Sequence, residues 1–168
     1  MAQLAALLLV ALWFVPRPSN DRDWADNQAT LAYADFTGDQ IRIHNVRNTT
    51  YRTTDDYTPQ YYDKSFDLNR LVRAWYIVEP FSDWEGAAHT FLSFEFEGPE
   101  YVSISVEIRK EKGEGFSPIK GLFKQYEILY VVADERDAIK RRTNYRKDDG
   151  FLYPVNAPLE NVRALLVS

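Results

Sequence analysis

HTFLSFEF (89–96), EGPE (97–100), YVSISVEIRKEKGEG (101–115) and FSPIKGLFKQYEILYVVADERDAIKRRTNYR (116–146) make up the stretch that decides the fold. In the first segment Thr90, Leu92, Phe94 and Phe96 share one face, and Phe91, Ser93 and Glu95 share the other. A strand alternates its side chains with period two, so the Leu92/Phe94/Phe96 face is the core side and His89 points away from it. The turn EGPE makes a hairpin with the next strand, 101–110. A four-residue loop pairs Phe96 with Tyr101 and sets His89 beside Ile108. A three-residue loop pairs Glu97 with Tyr101, sets His89 beside Arg109 and makes Glu107 a same-face diagonal neighbour. The sequence leaves both registers open, and a one-residue slip reverses the face.

Further along, Ser117–Pro118 is a good N-cap and N1 pair for a short helix through about Gln125. YEILYVVA (126–133) is the most apolar strand and reads as a central one. Asp134 caps the next helix, ERDAIKRR, whose acids come first and bases last, as the helix dipole prefers. The expected fold is therefore α+β, a mainly antiparallel sheet with short flanking helices. The basic cluster Arg141, Arg142, Arg146 and Lys147 has two readings. It is the ordinary end of a helix, or it is a rim for an anionic lipid headgroup.

Upstream, AWYIVEPF (74–81) is a buried strand by length and content. Residues 82–88, with Gly86, turn the chain into His89. Ile41, Ile43 and Val46 indicate a short strand with His44 on its polar face, where a lone histidine needs no function. Residues 47–67 read as a solvated loop pinned by Tyr51, Tyr57, Tyr61 and Tyr62. Its acids Asp55, Asp56 and Asp63 do not have calcium-loop spacing. Asp67 can cap a helical turn in LNRLVR. Residues 17–40 read as an extended linker with Trp24 as its hydrophobic pin. Downstream, FLYPV (151–155) is another strand. Ala157–Pro158 opens a helix with Leu159, Val162, Leu165 and Leu166 on one face.

The first fifteen residues, MAQLAALLLVALWFV, hold one polar side chain, Gln3. A spanning helix wants about 20 apolar residues and a signal-peptide core about 7–15, so the run falls between. Residues 1–16 are read as a membrane anchor or signal-anchor helix. A cleaved signal and a buried core helix are the alternatives.

The chain of 168 residues is long enough for one domain, and 45% of it is apolar. Its net charge of −5, from 25 acids and 20 bases, argues against a nucleic-acid-coating protein. There is no cysteine, which excludes a disulfide, a thiolate zinc site and a thiol nucleophile within these residues. Two histidines are too few for a histidine-rich metal site, and neither metal nor cofactor is expected. EKGEG (111–115) lacks the Gly-Lys-Ser/Thr ending of a phosphate-binding loop. Ser93, Ser103 and Ser105 lie in no G-x-S-x-G elbow.

RPSNDRDW (17–24), IRIHNVRN (41–48), YRTTDDYTPQYYD (51–63), AHTFLSFEF (88–96), ISVEIRKEKGEGFSPIKGLFKQYEILYVVADERD (104–137), RTNYR (142–146) and LYPV (152–155) resemble the Lnb N-terminal periplasmic domain family. The resemblance covers nearly everything after the apolar run. It implies a single anchor in the bacterial inner membrane (1–16), a linker (17–40) and a periplasmic domain (41–168). That domain would be part of a permuted papain-like fold, cut short at its C-terminal end. The implied activity is thiol acyl transfer in lipoprotein N-acylation, with a phospholipid acyl donor and a lipoprotein acceptor as partners.

His89 matches the family histidine and is the candidate base. Glu107 is the candidate orienting group, and Arg109 and Arg146 are the candidate substrate-binding cations. The family cysteine lies in an Asn/Thr-rich segment beyond the helix that starts near Pro158, and this chain stops before it. Two other classes stay open, a non-catalytic envelope module binding a lipid or protein and a papain-like amide hydrolase. For His89 itself the plain alternative is a strand-end surface histidine; as the base, its replacement by alanine is expected to leave folding nearly unaffected.

Overall fold

The computed structural model of the chain describes residues 18–53, 56–80, 87–122, 125–140 and 149–168. Among the described residues ten strands run in chain order: β1 (Tyr33–Thr37), β2 (Gln40–Arg47), β3 (Thr50–Tyr51), β4 (Tyr57–Thr58), β5 (Tyr61–Asp67), β6 (Leu71–Pro80), β7 (Ala88–Phe96), β8 (Glu100–Arg109), β9 (Glu127–Ala133) and β10 (Phe151–Pro154). The helices are α1 (Pro118–Leu122), α2 (Glu135–Lys140) and α3 (Leu159–Val167), with a 3-10 turn at Leu68–Arg70. The large sheet has the order β1-β2-β9-β8-β7-β6-β10, and β5 pairs with β2. It is open and mixed: its ladders are antiparallel except one parallel contact, Arg47 with Ala133. The α+β expectation holds at that level. β9 is an interior strand, as its apolar content indicated.

The register of the 89–110 hairpin is neither of the two expected. Phe96 pairs with Glu100, and Leu92 with Ile104, around a three-residue loop. Gly98 makes this loop possible, because its φ of 84° is a conformation that side chains with a Cβ resist. The parity that results puts His89 and Glu107 on the same face.

Each face of the sheet carries a buried cluster, so the His89 side holds a second core and is not simply a solvated face. The first core holds Ile41, Ile43, Val46, Phe66, Leu71, Ala74, Phe94, Phe96 and Val102, capped by Val162 of α3. The second holds Ile77, Phe91, Leu129, Val131 and Ala133, covered by Ala138 of α2. Each large side chain fully buried here contributes on the order of 1.5–3 kcal/mol of transfer free energy. On α3 only Val162 is buried, and Leu166 packs beside it. Leu159 and Leu165, expected on the same face, are exposed.

A bulge in β2 sets up the second core. The β2–β5 register shifts between Ile43 and Val46, and Asn45 has φ 59°. Asparagine is among the few residues that tolerate that region. The extra residue keeps Ile43 and Val46 on the first face and turns Arg47 onto the second.

The described residues of 47–67 are not a solvated loop. They form β3, β4 and β5, with Tyr51 and Phe66 buried. Alternation is masked there because neighbours such as Lys64 and Tyr62 lie half-buried along the strand. The end of the segment read as a linker forms β1, whose five residues are all exposed and so carry no pattern. Trp24 is buried, as a pin should be. Asp67 caps the turn below it by accepting from the Asn69 amide at 2.9 Å. Among the described residues no helix is long and apolar enough to cross a membrane. The anchor expected over 1–16 lies outside the described residues.

Candidate functional site

His89 is the second residue of β7 and is half-buried. Its direct partner on β6 is Glu79, which is 3% exposed. Opposed residues in an antiparallel pair hold their Cβ atoms about 4.5–5.5 Å apart, so the Glu79 side chain starts beside His89 on the same face. On the other side β8 presents Ser105 diagonally, and His89 Nε2 lies 2.8 Å from Ser105 Oγ. The Ser105 hydroxyl donates to Glu107 Oε1 at 3.3 Å. Phe91, two residues along the same face, tilts its ring against the imidazole with centroids 5.9 Å apart. Glu107 was expected to orient His89. It stands on the same face and reaches the ring through Ser105.

The polar strip continues beneath α2. Arg47 donates from Nε and Nη2 to the two oxygens of Asp137, at 2.9 and 3.2 Å. The Asp137 carboxylate also accepts from the Thr49 amide at 2.8 Å and from the Tyr51 hydroxyl at 3.2 Å. Burial alone would lower the Arg47 pKa. The charges of Asp137 and Glu107, with the hydrogen bonds to Asp137, outweigh that and hold it above its ordinary value. The influence of Glu107 on Arg47 ties the ion pair to the His89–Ser105–Glu107 chain. At the far end Ser93 donates to Glu135 Oε1 at 2.7 Å, and burial pushes the Glu135 carboxyl above its usual range.

Arg109 faces a different task. Nε donates to the Gln28 carbonyl, Nη1 to Asn20 Oδ1 and Nη2 to the Ala29 carbonyl, at 3.1, 2.8 and 3.2 Å. Its guanidinium also lies 4.2 Å above the Trp24 ring centroid. Each nitrogen thus binds the segment 18–32 onto the end of β8, and the side chain is 4% exposed. Arg146 lies outside the described residues. Among the described residues no cluster of His, Asp and Glu could hold a metal.

His44, for which no site role was expected, is a surface staple. Its Nδ1 is 2.7 Å from Asp63 and its Nε2 3.0 Å from Asp35, and Tyr33 stacks on it at 4.4 Å. An apolar cavity of about 200 Å³ is lined by Tyr33, Phe36, Ile104, Tyr130 and Leu166. Ile104 and Leu166 pack against the first core, so this cavity is on the side of the sheet away from His89.

Sequence reasoning missed Glu79, Ser105, Arg47 and Asp137 as parts of one network. Two of them left a signal. Glu79 is the lone acid in an apolar run, and Ser103, Ser105 and Glu107 alternate with Val102, Ile104 and Val106. Arg47 and Asp137 are 90 residues apart and left none.

A family model described as the Lnb N-terminal periplasmic domain matches residues 57–168, a span that includes His89, Ser105, Glu107 and Asp137. No curated protein and no solved structure matches the chain.

Proposed function

The chain belongs to the Lnb N-terminal periplasmic domain family, and from that premise we propose that it is the N-terminal portion of a membrane-anchored thiol acyltransferase acting in lipoprotein N-acylation. Residues 1–16 anchor it in the inner membrane, and residues 41–168 belong to a permuted papain-like domain in the periplasm. The observation that carries this reading is His89, half-buried at the start of β7 with a hydroxyl and two carboxylates on its own face. That setting suits a base that must hold a proton transiently.

The thiol comes from a segment beyond residue 168, since these residues contain no cysteine. His89 takes the thiol proton, and the thiolate attacks the acyl ester of a phospholipid. The acyl group then passes from sulfur to the lipoprotein amine. Arg146 is the cation assigned to the lipid headgroup. Arg109 is left out of that role because its guanidinium nitrogens already donate to 18–32.

The absence of a thiol favours a second reading for the 168 residues alone, a non-catalytic module that binds a lipid or protein partner. The test is acyl transfer by the longer protein, with phospholipid vesicles as donor and a diacylated lipopeptide as acceptor, read by mass spectrometry. A His89-dependent mass gain of one acyl chain on the lipopeptide amine is expected. Binding to vesicles without transfer would leave the module reading standing and remove the enzyme.

A further inference from the structure

We propose that the end of the sheet where β8 finishes and β9 begins docks on a phospholipid bilayer through Phe116, Ile119, Ile128, Tyr130 and Val106. The inference deepens the reading of residues 1–16 as an inner-membrane anchor and rests on it.

β8 ends at Arg109 and β9 begins at Glu127, and these two residues are paired. The connection between the strands carries α1. Around this end Phe116, Ile119, Ile128, Tyr130 and Val106 are each between 50% and 70% exposed. Ile128 and Tyr130 are alternate residues of β9 and share a face, and Val106 is paired with Tyr130. Phe116 stacks on Tyr126, just before the start of β9, with ring centroids 6.4 Å apart. Single exposed hydrophobes are ordinary, but a group gathered at one end of a sheet marks a surface that something covers.

What covers it follows from where the anchor arrives. The Ser19 amide donates to Glu127 Oε1 at 2.9 Å, and Arg22 lies 3.5 Å from Glu127 and 3.6 Å from Glu111. Ser19 follows Pro16, the last residue of the anchor, by three positions, and three residues reach at most about 10 Å. The bilayer surface that residues 1–16 enter is therefore within that distance of the start of β9. A leaflet offers an apolar interior to aliphatic side chains and a polar boundary to aromatic ones. Charges flanking the patch are already paired, Lys120 with Glu114 at 2.6 Å and Lys112 with Asp26 at 2.9 Å. Docking rests on apolar contact and not on lipid charge. His89 opens β7, which runs antiparallel to β8, so it lies at this same end. The docked sheet holds the proposed base at the leaflet from which the acyl ester is drawn.

The chain has no cysteine, so each introduced thiol carries a nitroxide label alone. The full 168-residue chain is placed in nanodiscs of zwitterionic phosphatidylcholine. Electron paramagnetic resonance then compares the relaxation of each label by oxygen, which dissolves in lipid, and by a water-soluble nickel chelate. Leu8→Cys reports on the anchor, and Ile119→Cys and Ile128→Cys report on the patch. Glu97→Cys is the control, in the turn at the other end of the ten-residue β8, about 30 Å away. The oxygen-to-nickel ratio should be higher at Ile119 and Ile128 than at Glu97. A label at Gly121→Cys, where a Cβ meets nothing within 4 Å, should share that lipid-like ratio and lose it in Ile119→Ser/Ile128→Ser. An anchored chain whose Ile119 and Ile128 labels are as open to nickel as Glu97 overturns the docking and leaves the anchor standing. Labels shielded from both reagents mean that protein covers the patch, a second copy included, and this overturns it too. A lipid-like ratio at Gly121 that survives the double replacement overturns the apolar contacts as its cause. A Leu8 label as open to nickel as Glu97 removes the anchor, and the docking with it.

Discussion

Arg47 and Asp137 form an ion pair whose side chains are 3% and 0% exposed, joining β2 to α2 across the second core. The bulge at Asn45 is what turns Arg47 toward it. Arg47 also donates to the Asn27 carbonyl at 3.3 Å, so one guanidinium links three separate stretches of chain. Breaking such a pair is costly because the remaining charge is left in a site that water does not reach.

Asp137→Asn should therefore destabilise the domain by about 3–5 kcal/mol, the usual cost of leaving one partner buried and alone. The double replacement Arg47→Met/Asp137→Leu should recover much of that loss, because it removes both charges together. Urea unfolding followed by circular dichroism measures both, with the midpoint falling while the slope stays constant. An Asp137→Asn midpoint equal to the parent's would mean that the pair does not hold the fold.

A second prediction concerns the segment 18–32. Arg109 binds it through three donors, and Ala25 and Lys112 add backbone bonds to it at 2.9 and 2.8 Å. Arg109→Ala should cost at least about 2 kcal/mol, since the carbonyls of Gln28 and Ala29 lose a charged donor. Arg109→Lys should rescue little, because an ammonium cannot reproduce the fork of the guanidinium. Limited proteolysis should show new cleavage within 18–32 in both variants while the rest of the domain stays resistant. Cleavage unchanged from the parent would show that Trp24 alone suffices as the pin.

Glu135 gives a prediction with a defined pH sense. Burial raises its folded-state pKa above the ordinary value of 4.5, against the opposing bond from Ser93. A raised carboxyl pKa means that the native state binds the proton more tightly than the unfolded state. The ionised group is therefore unfavourable above its folded pKa and without effect below about 4.5. Glu135→Gln keeps an acceptor for Ser93 and removes the charge. Its Tm should exceed the parent's at pH 7–8, and the difference should vanish near pH 4. A Tm gain that is the same at both pH values would assign the effect to packing.

Much of the sheet was legible because period-two alternation survives wherever one face is distinctly more apolar than the other. β7 shows this with Leu92, Phe94 and Phe96, and β9 shows its apolar content directly. β1 was not legible, since all five of its residues are exposed. β5 was not either, because its partner β2 is distant in sequence and Phe66 is its only fully buried side chain. The hairpin register escaped because EGPE permits several loops, and nothing local in the sequence selects the pairing of Phe96 with Glu100. His89 and Glu107 could be singled out as a pair, but the hydroxyl between them could not. Ser105 reads as an ordinary polar residue until the diagonal neighbours of His89 are known.

The final prediction concerns His89 in the longer protein. In the proposed reaction the ring accepts the thiol proton, so His89→Ala should lower turnover by about 10²–10⁴-fold. The ring is half-buried against Phe91 and bonded to Ser105, so the same change should also cost roughly 1 kcal/mol. That is more than a surface histidine would cost and too little to unfold a stable domain. Glu107→Gln should reduce turnover less, because Glu107 acts through the Ser105 hydroxyl and an amide oxygen can still accept from it. Thermal melts and single-turnover acyl transfer on the same preparations separate the two effects. A folded His89→Ala protein with parental turnover would show that the histidine takes no part in the chemistry. An His89→Ala protein that loses activity only in step with its folded fraction would make the ring structural and move the search for a base to Glu79, its opposed neighbour on β6.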